Sequence, residues 1–135
     1  MSDAGHEPQS SVTAIGMTLD SVDPDAIADF WQEALGFTKR VGGAGGITLS
    51  DSGIGRPLNH MSIQKVPEAK AVKNRAHLDL FARDHAAEIA RLVGLGATVI
   101  SPADPTGPGH LGFMATILAD PEGHEFCVVS RQPSA

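Results

Sequence analysis

Tyrosine is missing from this chain, and its 135 residues contain only one tryptophan, five phenylalanines and one cysteine. So few aromatic rings leave little surface for stacking against a ligand. A single cysteine, Cys127, excludes an intrachain disulfide framework and fits a reducing compartment, so a cytoplasmic location is expected. No apolar run approaches the length of a membrane span. Nor is there a basic cluster: 16 acidic residues stand against 10 basic ones, for a formal charge of −6. Nucleic acid and anionic membrane are therefore not expected as partners. Residues 1–11 lack an apolar stretch of the signal-peptide kind and read as a polar, disordered tail. What remains is an ordinary globular composition, 41% apolar. The length suits one domain, or two small modules sharing a core.

Along the chain, Ile15, Met17 and Leu19 alternate with Gly16, Thr18 and Asp20 inside Val12–Val22, the signature of a half-buried strand. Asp23-Pro24 then supplies a helix cap with proline at the first helical position. Ile27, Phe30, Trp31, Ala34 and Leu35 recur at helical spacing, and Gly36 closes the helix. Strands are expected over Phe37–Val41, Ile47–Asp51 and His60–Val66. Gly42–Gly46 reads as irregular, Asp51–Pro57 as a turn-rich connection and residues 68–74 as a linker. Neither glycine-rich stretch has a phosphate-loop pattern.

The second half repeats the first. Ala76–Phe81 is a strand, Asp84 a cap, and Ile89, Leu92, Val93 and Leu95 an apolar helical stripe ended by Gly96. Ala97–Ile100 is a strand and Ser101–Gly112 a proline- and glycine-rich loop. Phe113–Ala119 and Glu125–Ser130 form a hairpin about Asp120-Pro121-Glu122-Gly123, a type I turn. Superposing the halves sets Gly16 on His77, Thr18 on Asp79 and Asp23 on Asp84. The fold class is α+β: two tandem βαβββ modules forming a curved mixed sheet around a cleft, with the helices on the outer face. Module one covers 12–67 and module two 75–131, and residues 132–135 are a tail.

In this order and spacing, Ser21-Val22-Asp23-Pro24, Phe30-Trp31, Leu35-Gly36-Phe37, His77-Leu78-Asp79-Leu80, Leu95-Gly96-Ala97 and Asp120-Pro121-Glu122-Gly123-His124-Glu125-Phe126 resemble the vicinal oxygen chelate superfamily, the glyoxalase and bleomycin-resistance fold. The resemblance spans about Val12–Arg131. It implies a homodimer with a small-molecule ligand held between modules. Its metalloenzymes take four ligands from the first and last strands of both modules. The matching positions here are Gly16, a residue near Ser62, His77 and Cys127. Glycine cannot ligate through a side chain and serine is a poor ligand. No cofactor is therefore expected, and a divalent metal is disfavoured, although Asp20, Asp79, Glu125 or His60 could substitute as ligands.

Strand alternation puts His77 and Asp79 on the face opposite Leu78 and Leu80. His77 with Asp79 or Glu125 is the candidate catalytic set for proton transfer, weighed against a structural or ligand-contacting His77. Thr18, Asp20, Phe113 and Cys127 are the candidate ligand contacts. For Cys127 a small buried hydrophobe is preferred to a nucleophile. Trp31 and Phe30 read as core, His110 and His60 as solvent-exposed, and His124 as structural. The expected function is small-molecule binding without the usual metal, of the drug-sequestering kind. The alternatives are a lyase or isomerase using His77, and an accessory module with a vestigial site.

Overall fold

The computed structural model describes residues 11, 16–51, 60–104 and 112–133. The start of the first expected strand (12–15), the turn-rich connection over 52–57, and residues 105–111 of the expected loop, His110 among them, lie outside the described residues. Module one runs β1 (Met17–Ser21), α1 (Pro24–Leu35), β2 (Lys39–Gly43), β3 (Gly46–Ser50) and β4 (His60–Lys65). Module two runs β5 (Asp79–Phe81), α2 (His85–Leu95), β6 (Thr98–Ser101), β7 (Phe113–Ala119) and β8 (Glu125–Arg131). Each module forms a four-stranded mixed sheet, ordered β1-β4-β3-β2 and β5-β8-β7-β6. In both, the first strand lies parallel to the last and the other pairings are antiparallel.

Both helices start as the sequence predicts. Asp23 accepts the Ala26 N–H at 3.4 Å and Asp84 the Ala87 N–H at 3.1 Å, each satisfying a donor that the first turn leaves free. Gly36 ends α1 with φ 72°, left-handed backbone that glycine adopts without a Cβ clash. One expectation fails at Gly42–Gly46. Gly42 and Gly43 belong to β2 and Gly46 opens β3, so the segment is a regular hairpin in which Gly43 pairs with Gly46 across Ala44-Gly45. Glycine is required at 46 for a different reason than flexibility. A Cβ there would lie 1.9 Å from the Ile63 carbonyl oxygen, on backbone of φ 149°. The strand expected from Ala76 is also shorter: only Asp79–Phe81 joins the ladder.

The core is centred on α1. Ile27, Ala28, Phe30, Trp31 and Ala34 are all buried, whereas α2 buries only Leu92 fully. Burying side chains of the size of Ile27 or Phe30 contributes roughly 1.5–3 kcal/mol each, so this stripe is a main source of stability. Phe126, from module two, packs edge-on against Trp31 at 5.0 Å between ring centroids and tilted against Phe30 at 6.1 Å. The modules therefore share one core.

Polar contacts fix the same junction. The Asp120 carboxylate, fully buried, accepts from Trp31 Nε1 at 2.8 Å, from the Glu122 and His124 N–H groups, and from His124 Nδ1. His124 Nε2 lies 2.8 Å from the Asp20 carbonyl oxygen. Both ring nitrogens thus face acceptors, which only the doubly protonated imidazolium satisfies. The Asp120 carboxylate raises the His124 pKa against the opposing effect of burial. Glu122 accepts the Val22 N–H at 3.1 Å, the Asp23 N–H at 3.1 Å and the Ser21 hydroxyl. Arg91 of α2 donates to the Glu33 and Ala34 carbonyls, which the end of α1 leaves without helical partners.

Candidate functional site

Period-two alternation sorts the strands of module two into two faces. Phe126 and Val128 join the core, so Glu125, Cys127, Val129 and Arg131 turn to the other face. β5 contributes Asp79 and Phe81 to that face, and Asp79 is the direct register partner of Cys127. His77 sits two residues ahead of Asp79, just before the ladder begins, and the chain is anchored between them by the Cys127 N–H donating to the Leu78 carbonyl at 2.9 Å. Here His77 Nε2 lies 3.1 Å from Asp79 Oδ1, with both side chains about half exposed. Ligand-type atoms of His77, Asp79 and Cys127 all fall within 4.8 Å of one another. Cys127 itself is buried. Burial first, then the Asp79 carboxylate, pushes its thiol pKa up, while Lys73 pulls the other way.

Next to this cluster lies a concavity of about 390 Å³, lined by Phe81, Arg83, Phe113, Val129 and Arg131 among others. Phe81 is 73% exposed and meets Phe113 edge-on, at 6.1 Å and 81°. The Arg131 guanidinium stacks 5.3 Å above the Phe113 ring centre. Among the described residues, neither Arg83 nor Arg131 has an acidic partner.

The remaining predicted residues are placed elsewhere. Glu125 shares the face but is committed to the linker: its carboxylate accepts the Asn74 N–H at 2.9 Å and pairs with Lys70 at 3.1 Å. The Asn74 N–H, with Lys70, holds its pKa down at about 2. That makes Glu125 a clasp for residues 70–74, and it is not among the groups converging with His77. Thr18 lines a separate concavity of about 620 Å³ on the first sheet with Val41, Thr48 and Ser62, and Asp20 lines another with Thr18, beside the linker.

The expectation of a solvent-exposed His60 is corrected. His60 is half-buried, and its ring lies where a side chain at Gly16 would begin, with Nε2 2.5 Å from the position of a Cβ there. His124 and Trp31 are buried and structural as expected. His85, unassigned in the sequence, bonds through its two ring nitrogens to Ser130 Oγ at 2.9 Å and Thr116 Oγ1 at 2.8 Å. Burial lowers its pKa.

Of the four positions that the resemblance matches to metal ligands, two belong to each module. Thr18 pairs with Ser62 where Asp79 pairs with Cys127, so the first sheet offers hydroxyls and the Gly16 backbone where the second offers thiol, carboxylate and imidazole. At the matched positions themselves the first sheet has no imidazole, carboxylate or thiol, and the His60 ring occupies the space beside Gly16.

Phe81 and Arg131 were not singled out by the sequence. Phe81 had the correct face by alternation with Leu80, but an isolated phenylalanine gives no sign of exposure. Arg131 lies one residue past the expected end of its strand.

Comparison with known proteins agrees with this architecture. A family model described as a glyoxalase-like domain matches residues 16–129. No curated protein matches the chain. Among solved structures, a genomically encoded fosfomycin resistance protein, FosX, from Listeria monocytogenes superposes with a TM-score of 0.67 at 14% identity, covering 90% of this chain and 94% of that one. A glyoxalase/bleomycin resistance protein/dioxygenase family enzyme from Burkholderia phytofirmans PsJN gives 0.66 at 14% identity, covering 88% and 99%. A glyoxalase-related enzyme from Fulvimarina pelagi gives 0.63 at 21% identity, covering 89% of each chain. At these identities the likeness is one of fold.

Proposed function

The chain belongs to the glyoxalase-like domain family, and on that premise we propose that it binds a small aromatic molecule bearing a negative charge, without the two-module metal centre of the wider superfamily. The observation that carries this reading is the platform on the second sheet. Two phenylalanine rings meet nearly at right angles with Phe81 largely exposed, and two arginines that have no acidic partner among the described residues border it. Aromatic pairs and cation–π contacts each contribute on the order of 1 kcal/mol. An arginine fork adds charge-assisted hydrogen bonds to a carboxylate or similar anion. On a chain of net charge −6, this local positive spot favours an anionic ligand over a cationic one.

The test is calorimetric titration with a panel of aromatic carboxylates and their neutral amides. Binding of the anions, weakened roughly tenfold by Phe113→Ala or Arg131→Ala, is the expected outcome. Equal affinity for acid and amide, or binding indifferent to both substitutions, would overturn it.

A second reading has its own observation, the 3.1 Å contact between His77 and Asp79. An imidazole oriented by a carboxylate can accept a substrate proton, as a lyase or isomerase would need. This reading predicts that His77→Ala abolishes turnover of a bound ligand while leaving its affinity within about twofold, because histidine here would act on the reacting proton and not on binding. Turnover that survives His77→Ala would eliminate it.

A further inference from the structure

On the platform reading above, on which this step rests, we propose that His85 is the residue that positions the platform. Its neutral ring, strung between two buried hydroxyls, pins the Ala82 peptide between Phe81 and Arg83, and acid releases the pin. Phe81 ends a three-residue strand at the edge of its sheet, so few ladder bonds hold it. Ala82 adds the anchorage that the short ladder lacks. Its N–H donates to the Val129 carbonyl at 3.0 Å, and its carbonyl accepts the Ser130 hydroxyl at 2.7 Å. Because Ala82 packs against the core, alternation sends its neighbours Phe81 and Arg83 to the concavity on the other face.

Hydrogen-bond direction fixes the state of the ring. The Ser130 hydroxyl gives its one proton to Ala82, so toward His85 it must accept, and Nδ1 carries the donated hydrogen. At the other end the Ala103 N–H donates to Thr116 Oγ1 at 3.1 Å, which leaves the Thr116 proton for Nε2. Thr116 and Ser130 are both buried. Only the neutral imidazole completes this chain. His124 is the opposite case, since its two acceptors demand the charged ring. His85 also opens α2, where the positive end of the helix disfavours a cation. The strands beneath it present Thr116 and Ser130, which carry no charge. On its own helix Asp84 is committed to the Ala87 N–H and Glu88 to Arg91, and α1 approaches at Arg91 with Glu33. Arg83 and Arg131 border the opposite face, and Asp104 follows Ala103. Burial lowers the His85 pKa, so its hold is full above the unfolded value near 6.5 and is lost as pH falls through the folded one.

The experiment uses the full chain and 2-naphthoate, an aromatic anion that stays ionised above about pH 5. NMR follows the His85 titration, amide exchange at Ala82 reports the pin, and calorimetry gives the naphthoate affinity. Near neutral pH, His85→Ala should speed Ala82 exchange and weaken naphthoate binding by about tenfold each, the worth of one hydrogen bond. Exchange at the Cys127 amide, held by Leu78, should not change. In the wild-type chain both losses should appear on acidification, with the midpoint of the His85 titration. Acid that merely added positive charge to the protein would strengthen the binding of an anion, the opposite sign. Thr116→Val removes the donor to Nε2 and should raise that midpoint, and Thr116→Ser should restore it. Should His85→Ala fail to fold, the wild-type titration and the Thr116 pair carry the test. A wild-type chain that binds no naphthoate would overturn the platform and the role of His85 together. Binding indifferent to His85→Ala and to acid, or an Ala82 amide as well protected in that variant as in the wild type, would overturn the role of His85 and leave the platform standing.

Discussion

Where the second sheet carries His77, Asp79 and Cys127, the first carries Gly16, Thr18 and Ser62 at the matching places of the repeat. The reverse holds on the helix side. α1 buries five side chains and α2 one, although both helices are capped by the same device and run nearly the same length. The two modules have thus divided what a single module would have to combine. One supplies most of the core, and the other sets an imidazole, a carboxylate and a thiol together on the face away from it. A duplicated unit can afford this division because its halves share a core: Phe126 of module two leans on Phe30 and Trp31 of module one.

The sharpest way to break the comparison is at the join. Asp120→Ala removes an acceptor that serves Trp31, His124 and two backbone N–H groups, leaving an imidazolium without its counter-charge. Breaking a buried pair by deleting one partner costs about 3–5 kcal/mol, and urea denaturation should show a single transition shifted by that amount. A loss under about 1 kcal/mol would mean the junction is held by packing alone.

Next in size is a matched pair on the two helices. Ile27→Ala empties a site with no exposure and should cost about 2–5 kcal/mol, whereas Ile89→Ala, at a half-buried position, should cost less than half as much. Equal losses would erase the asymmetry.

Smaller still is Gly16→Ala. Its Cβ must displace the far end of the His60 ring, at an expected cost of about 1 kcal/mol that shrinks when His60→Ala is made first. Additive effects in that double-mutant cycle would show that the ring and the glycine are unrelated.

The mildest probe is pH, which separates the join from the linker. His124 has a raised folded pKa, so its contribution is full below its unfolded value near 6.5 and is lost as pH rises through the folded value. Glu125 is depressed to about 2, so its contribution is present above its unfolded value near 4.5 and is lost as pH falls toward 2. Melting curves across pH should therefore decline on both sides, with His124→Gln removing the alkaline dependence and Lys70→Ala reducing the acid one. A variant that leaves its own limb unchanged would refute the assignment of that limb.

Much of this architecture was legible because it is local and periodic. The Asp23 and Asp84 caps, the Gly36 and Gly96 stops and the Asp120–Gly123 turn fix element ends from neighbouring residues alone, and the strand alternation put His77 and Asp79 on the correct face. Long-range satisfaction was not legible. Nothing near Glu125 in the sequence announces Asn74 and Lys70, and nothing near His124 announces the Asp20 carbonyl, because those partners are brought in by tertiary folding. Glycine misled at Gly42–Gly46 for a physical reason: its usual preference for turns was overridden at Gly46 by the close approach of the Ile63 backbone, which only a residue without Cβ allows.

The edge-on contact of Phe126 with Trp31 has a consequence for anyone who would cut this protein in two. The linker over 68–74 looks like the natural place to divide the chain, and the repeat suggests that each piece would then behave as a small independent unit. It would not. The N-terminal fragment would display an uncovered indole and phenyl ring, and its Trp31 nitrogen would lose the acceptor it has in Asp120. The fragments should instead find each other, which makes the 68–74 cut a starting point for a complementation pair whose reassembly reports on itself.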